Sequence, residues 1–313
     1  MVGKELVEAQ DLVLRYGSHV VVDRVSLAVG RGSLFGLLGH NGAGKTSTVE
    51  MLEGLRSPSE GHIYCCGIDV RRHPRQARAL MGIQLQKGAL FDQLTVRETL
   101  QLFSGISRRP PLATGALIEY LDLDSILKAQ VKHLSGGQFQ RLALATAIIN
   151  DPAVIFLDEP TTGLDPLARR MLWKFVLELK QRGKAIILTT HYMEEAEALC
   201  DRVGILQNGK MIAEGKPGEL SGSHAVLSFR LEPTVSTEDQ ESLAQLPHVI
   251  KIDYSPDGEI KLLTGESLDA TTALAAWAAQ RNKGIRNLEI RRPTLEDVFL
   301  ELTGDPEAAR LST

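Results

Sequence analysis

The chain has 313 residues, of which 43% are hydrophobic and 24% are charged, and its formal net charge is -4 at pH 7. These values are typical of a globular protein with two domains, and they exclude the disordered, fibrous and disulfide-stapled classes of protein. The slightly acidic balance argues against a protein that holds a nucleic-acid backbone, because such domains are usually strongly basic. We therefore expect no nucleic-acid partner.

Apolar stretches and cysteines indicate where the chain works. The longest core-like run is LALATAII at residues 142–149, far short of the roughly 18–20 apolar residues of a membrane span. The N-terminus, MVGKELVEAQ, lacks the apolar region of a secretory signal. The chain has three cysteines, Cys65, Cys66 and Cys200, and their spacing is not that of a metal-binding motif. We expect a chain without a membrane span, retained in a reducing cytoplasm with unliganded thiols.

The N-terminal elements predict an α/β unit. Residues 6–29 contain two runs of apolar and polar alternation, which predict two antiparallel strands. The apolar run SLFGLLG then ends in glycine, and a helical pattern follows at residues 45–55. A strand, a glycine-rich turn and a helix in this order begin an α/β fold.

The middle of the chain predicts a parallel sheet. A hairpin-like segment, GHIYCCGIDV, precedes a mostly helical stretch over residues 96–149 that is interrupted at RRPPLATG. Two buried strands, AVIFLD at residues 153–158 and AIILTT at residues 185–190, flank a helix predicted at residues 166–182. Strands that alternate with helices indicate a mainly parallel sheet covered on both faces.

A second domain is predicted after a shift toward Gly, Ser and Pro at residues 218–223. The pattern that follows is βαββαβ, the ferredoxin-like order, and it ends in a short helix at residues 295–302, with Thr294 as N-cap and Gly304 as its stop. The predicted division is a first domain at 1–221 with a helical subdomain at about 92–149, a second domain at 222–303, and a disordered tail at 304–313.

A phosphate-binding loop is predicted between the first buried strand and its helix. The string GHNGAGKT fits GxxxxGK[ST] in the context that gives this motif its meaning. Backbone N–H groups and the helix N-terminus together make an anion site. The predicted nucleotide-binding residues are Gly39, His40, Asn41, Gly42, Ala43, Gly44, Lys45, Thr46 and Ser47, with the Thr46 hydroxyl also a ligand for Mg²⁺. The alternative is a glycine-rich turn with a surface lysine.

Two acidic residues follow the strand AVIFLD. They lie at the carboxyl end of a predicted parallel strand, where α/β sheets place ligands. Asp158 is the predicted Mg²⁺ carboxylate, and Glu159 is the candidate general base for an attacking water. The alternative for Glu159 is a simple acidic neighbour of the next helix.

The string LSGGQ at residues 134–138 opens a helix and offers a second anion-binding N-terminus. With the motifs above, in the same order, it makes residues 6–220 resemble the ABC ATPases. The resemblance implies a nucleotide contact from the signature and D-loop residues Ser135, Gly136, Gly137, Gln138 and Asp165. It also implies that Gln86 is the Q-loop glutamine, a catalytic residue and a metal ligand, that His191 is the catalytic switch histidine, and that Tyr16 stacks on adenine.

The resemblance implies a fold and a function. The fold is an α/β P-loop domain with a mixed sheet core, an antiparallel β subdomain and a helical subdomain, followed by a small α+β ferredoxin-like domain. The function is ATP hydrolysis with Mg²⁺ in a dimer, with an identical or a related chain, in which each signature closes on the ATP of the other subunit. A separate transmembrane permease would dock between residues 86 and 134, at the cytoplasmic face of the membrane.

The closing string RRPTLEDVFLELTG is similar to the C-terminal extension of bacterial exporter ATPases of the drug-resistance type. This resemblance implies export of a drug, a lipid or another amphiphile. Two other classes stay open: a soluble nucleic-acid- or ribosome-associated ABC protein, and a regulatory ATP-binding module. The acidic balance and the lack of long coiled-coil heptads argue against the first of these.

Overall fold

The computed structural model describes residues 5–84, 90–106, 114–221 and 224–303. The chain divides into two compact units, Met1–Pro217 and Gly218–Thr313, close to the boundary predicted after residue 221. The predicted tail at 304–313 lies outside the described residues. No helix within the described ranges is both long enough and apolar enough to cross a membrane.

The first unit contains two sheets and seven helices among its described residues. Its strands are β1 (Glu5–Tyr16), β2 (His19–Gly30), β3 (Leu34–Leu38), β4 (Glu60–Cys65), β5 (Ile68–Asp69), β6 (Met81–Ile83), β7 (Val154–Asp158), β8 (Ala185–Thr190), β9 (Arg202–Gln207) and β10 (Lys210–Gly215). Its helices are α1 (Lys45–Leu52), α2 (Pro74–Arg78), α3 (Val96–Ile106), α4 (Thr114–Tyr120), α5 (Gly136–Ile148), α6 (Pro166–Gln181) and α7 (Met193–Leu199), and α8 (Pro217–Leu220) spans the junction.

The central sheet has the strand order β10-β9-β3-β8-β7-β6, and every pair is parallel except β10 with β9. All residues of β3 and β8 are buried, as expected for strands covered on both faces. The predicted parallel sheet is therefore confirmed. No strand is predicted above for residues 202–215, although Asn208-Gly209 between two apolar runs is a hairpin signal.

The second sheet of this unit has the order β2-β1-β4-β5 and is antiparallel throughout. It confirms the two predicted N-terminal strands and the hairpin GHIYCCGIDV. Gly209 joins this sheet to the loop before α1, since its N–H donates to the carbonyl of Ala43 at 3.0 Å and its own carbonyl accepts from Asp23 N–H at 2.8 Å. A Cβ at Gly209 would lie 2.4 Å from the Val21 carbonyl oxygen, so only glycine fits there.

The helical subdomain is formed by α3, α4, α5 and two short 3₁₀ turns at Asp124–Ile126 and Val131–His133. Its helical character is confirmed, with one difference: α4 begins at Thr114, inside the predicted loop RRPPLATG. Residues 108–113 of that loop lie outside the described residues. Helix α5 is buried over most of its length and packs against α3 and β7.

The second unit contains β11 (Ala225–Glu232), α9 (Thr237–Ala244), β12 (Val249–Tyr254), β13 (Ile260–Thr264), α10 (Ser267–Gln280), β14 (Gly284–Arg291) and α11 (Leu295–Thr303). The first six elements follow one another in the order βαββαβ, and their antiparallel sheet has the strand order β12-β13-β11-β14. The Thr294 hydroxyl accepts from Asp297 N–H at 3.3 Å and so caps α11 as predicted. The predicted stop, Gly304, lies outside the described residues.

Candidate functional site

The loop between β3 and α1 has the backbone of an anion cradle. Gly44 adopts a φ of 103°, and a Cβ there would approach the Val21 carbonyl oxygen to 3.0 Å, so glycine is required. As the N-cap of α1 it has no side chain to cap the helix. The first N–H groups of α1 therefore face the loop and are available to an anion. Asn41 and Thr46 are exposed beside them.

Lys45 is the first residue of α1, and its ammonium lies inside the loop. Its Nζ donates to the carbonyls of Gly39 at 2.7 Å and His40 at 3.1 Å. Burial lowers the Lys45 pKa, and the negative charges of Glu159 and Asp158 oppose that shift. The two carboxylates are therefore close enough to act on the ammonium, which places the loop beside the end of β7.

Thr189 of β8 holds both acidic residues. Its hydroxyl donates to Asp158 Oδ1 and accepts from Glu159 N–H at 3.2 Å, while its carbonyl accepts from the same N–H at 3.1 Å. Thr189 is fully buried, so this arrangement is fixed by packing. No role is predicted above for this residue, although two polar threonines ending an apolar strand are a signal for one.

Glu159 and His191 form a partly exposed pair. Glu159 Oε1 lies 3.2 Å from His191 Nδ1, and the side chains are 32% and 41% exposed. Glu159 adopts a left-handed backbone with a φ of 45°, a conformation that is costly without glycine and is concentrated at functional sites. The pair is therefore accessible to a water molecule from solvent, and it faces the loop that contains Lys45.

The signature residues lie next to the D-loop. Ser135 caps α5, and its hydroxyl accepts from Gln138 N–H at 3.3 Å while Gln138 Oε1 accepts from Ser135 N–H at 2.9 Å. Asp165 caps α6 by accepting from two backbone N–H groups. Residues 135–138 and 163–165 line one cavity of about 750 Å³. The signature and Asp165 thus form a group of their own.

Tyr16 ends β1 and is 50% exposed. The guanidinium of Arg56 lies over its ring at 5.5 Å from the centroid, and Arg56 Nε also pairs with Glu50 Oε2 of α1 at 2.7 Å. Arg56 therefore connects α1 to the predicted adenine platform.

Gln86 lies outside the described residues. Two positions earlier in the sequence, the buried Gln84 donates to Gln140 Oε1 of α5 at 2.6 Å.

Glu53 follows α1 and gives a pH-dependent prediction. It is 6% exposed, and burial, together with the charges of Asp158 and Glu50, raises its pKa from 4.5 to about 8. The pKa of Glu53 in the folded chain lies above its ordinary value. The free energy of unfolding therefore falls as the pH rises from 4.5 to about 8. Glu53→Gln should remove this loss and stabilise the chain at pH 8 by on the order of 3 kcal/mol.

Urea unfolding of both proteins at pH 5 and pH 8 measures this difference. The exposed Glu119 provides the control, because Glu119→Gln should leave the stability difference between the two pH values unchanged. An equal effect of Glu53→Gln at both pH values would contradict a buried, protonated Glu53.

Comparisons with known proteins agree with this geometry. A family model described as ABC transporter matches residues 22–162. The Nod factor export ATP-binding protein I of Rhizobium etli is 39% identical over 95% of this chain and 93% of its own length. A solved ATP binding subunit of an ABC transporter is 31% identical, covers 69% of this chain and 91% of its own, and has a TM-score of 0.65.

A further solved structure is cbiO1 from Clostridium perfringens, described as part of the ABC transporter complex cbiONQ. It is 25% identical, covers 70% of this chain and 91% of its own, and has a TM-score of 0.62. These similarities confirm the P-loop ATPase fold implied by the motifs. The chain belongs to the ABC transporter family, as one of its ATP-binding and ATP-hydrolysing subunits.

Proposed function

We propose that this chain is the ATPase subunit of an exporter, and that it works as a dimer with Mg²⁺ and a separate membrane subunit at the cytoplasmic face. The observation that carries the proposal is the group at the carboxyl end of the central sheet. There the charges of Asp158 and Glu159 act on the Lys45 ammonium, and Glu159 Oε1 lies 3.2 Å from His191 Nδ1. These are the groups that phosphoryl transfer to water requires.

In this proposal the nucleotide follows the path from Tyr16 to Lys45. The residues of the loop, Gly39 to Ser47, surround the phosphates with backbone N–H groups. Lys45 has three donor hydrogens, so it can bond phosphate oxygens in place of the carbonyls of Gly39 and His40. The half-exposed ring of Tyr16 offers a face for adenine.

The donors beside Lys45 fit a magnesium ion. Among the described residues, no three His, Cys, Asp or Glu side chains cluster into a self-contained metal site. Magnesium suits this setting, since it takes one or two protein oxygens and completes its octahedron with water and phosphate. The Thr46 hydroxyl and the Asp158 carboxylate would hold it, with Gln86 as the further predicted ligand. When bound, the ion neutralises phosphate charge.

Glu159 is the proposed general base. Its carboxylate is partly exposed and so can accept a proton from a water that attacks the terminal phosphate. His191 would contact the γ-phosphate and hold the carboxylate on the side of the phosphates. The Thr189 hydroxyl accepts a hydrogen bond from the backbone N–H of Glu159. This bond supports a fixed position of Glu159 for the proton transfer.

The signature and Asp165 support a dimer, because they line a cavity whose lining does not include Lys45. Ser135 and the first turn of α5 offer an anion site. In the proposed dimer that site closes on ATP held by the other subunit, which is an identical or a related chain. Loss of the γ-phosphate then separates the subunits.

Exposed apolar side chains of the helical subdomain support docking of a membrane subunit. Leu102 is 39% exposed and Ile106 68%, and they lie four positions apart on one face of α3. Phe91, before this helix, is 60% exposed. An apolar helix face that stays exposed is a feature of interaction sites. The similarity to a Nod factor export protein supports export, and the similarity to a member of a transporter complex supports a partner. The cargo class, a drug, a lipid or another amphiphile, stays a prediction.

Purification from solubilised membranes tests this proposal. We expect a multispan membrane protein to accompany the wild-type chain and to be lost with the double variant Leu102→Asp, Ile106→Asp, because charge on this face opposes apolar docking. Leu268→Asp is the matched control, since Leu268 is 78% exposed in the second unit. Purification with ribosomes or nucleic acid instead, or an equal loss in the control, would contradict the proposal.

A further inference from the structure

A chain of ring and charge contacts ends at the proposed catalytic pair. The guanidinium carbon of Arg169 lies 4.9 Å from the centroid of the Tyr192 ring. The Tyr192 ring lies 4.1 Å from that of His191, and His191 Nδ1 is 3.2 Å from Glu159 Oε1. Arg169 belongs to α6, and neither it nor Tyr192 has a role in the function proposed above.

A buried carboxyl group, that of Glu195, interacts with the same helix as Arg169. Glu195 of α7 is fully buried, and its Oε1 accepts from the indole Nε1 of Trp173 of α6 at 3.1 Å. Burial raises the Glu195 pKa, while neighbouring hydroxyls and the charge of Arg169 lower it. The hydroxyl of Thr190 accepts from Tyr192 N–H at 3.0 Å. Helices α6 and α7 are therefore joined around Tyr192.

Arg169 lies one turn from the D-loop. Its N–H donates to the carbonyl of Asp165 at 3.0 Å, and Asp165 caps α6 and lines the cavity that contains the signature residues 135–138. A shift at the start of α6 would therefore move the guanidinium, and with it the ring on which it rests.

We propose that Arg169 is a positioning residue for ATP hydrolysis: through the Tyr192 ring it holds His191 beside Glu159 and ties this pair to the D-loop. The inference rests on the function proposed for His191 and Glu159. It assigns to α6 a role in the reaction that lies beyond packing.

The contact depends on the positive charge of Arg169. A cation over an aromatic face is attracted by the ring quadrupole. Within the described part of the chain, the buried Nε of Arg169 has no hydrogen-bond partner. The Tyr192 ring and the charge of Glu195 both attract the guanidinium, and a neutral side chain of similar length would lack this attraction.

Three variants test this inference. Arg169→Met should lower kcat for ATP about tenfold, with the Kd for ATP unchanged, because a cation–π contact carries an effect of that size. Arg169→Lys should restore most of the rate, since it keeps the charge. Arg170→Met is the matched control, because Arg170 is the exposed neighbour on the same helix, and it should behave as wild type.

Two variants at Tyr192 sharpen the test. Tyr192→Phe keeps the ring and should retain the wild-type rate, whereas Tyr192→Ala should reproduce the loss seen with Arg169→Met. The inference is wrong if Arg169→Met keeps the wild-type kcat, or if its Kd for ATP rises as its kcat falls. It is also wrong if Arg169→Lys does not recover the rate.

His191→Ala separates this inference from the proposed function. If His191→Ala hydrolyses ATP normally, the role proposed for His191 is wrong. If His191→Ala is inactive while Arg169→Met is fully active, only the positioning role of Arg169 is wrong.

Discussion

Lys45→Ala should weaken ATP binding at least about a hundredfold, since hydrogen bonds between a charged donor and phosphate are among the strongest in proteins. The substitution removes the ammonium that lies inside the loop. It also removes the donor to the Gly39 carbonyl, while the His40 carbonyl still accepts from Ala43 N–H at 3.1 Å. Titration calorimetry with ATP and Mg²⁺ measures the effect directly.

Lys251→Ala is the control for charge removal, because Lys251 lies exposed in the second unit with 56% of its side chain accessible. Its dissociation constant for ATP should equal that of the wild type. Binding of ATP to Lys45→Ala within a few-fold of wild type would mean that the loop is only a glycine-rich turn.

Glu159→Gln should stop ATP turnover while leaving ATP bound. Glutamine keeps the size of the side chain but accepts a proton poorly, so we expect hydrolysis to fall by about two to three orders of magnitude. Because the γ-phosphate stays in place, the variant should accumulate as an ATP-bound dimer. Phosphate release and sedimentation with ATP and Mg²⁺ give the two readouts.

The control for this variant is Glu194→Gln, an exposed carboxylate at the start of α7 and three positions from His191. It should hydrolyse ATP and dissociate as the wild type does. Normal turnover in Glu159→Gln would refute the general base, and loss of ATP binding in that variant would assign to Glu159 an electrostatic role toward Lys45 instead.

Local signals in the sequence were sufficient to predict the elements that carry the site. Gly44 is demanded by backbone geometry, and the Ser135 and Asp165 caps follow from their own neighbours in sequence. The apolar run that became β8 is unmistakable in length and composition. Each of these features depends on a few adjacent residues, and a single sequence displays such features directly.

Contacts between distant residues could not be predicted in this way. Thr189 reaches Asp158 across a pair of parallel strands, and Arg169 meets Tyr192 only because α6 packs against α7. The three-residue strand β6 is too short to produce a pattern. The roles of Gln86 and Tyr16 in nucleotide binding stay predictions that derive from the resemblance.

The hydrogen bonds of Gly209 have a consequence for ligand selection. They join the sheet that ends in Tyr16 to the loop at Ala43 through backbone atoms alone, and the approach of Val21 leaves no room for a side chain. The backbone of this sheet and the loop at Ala43 are therefore held together before any ligand arrives. If Tyr16 binds the base and the loop binds the phosphates as predicted, a nucleotide that matches their separation gains both contacts without a cost of reorganisation. A shorter or longer molecule would then lose one of the two contacts, so Gly209 would help to set the length of the ligand that the predicted site accepts.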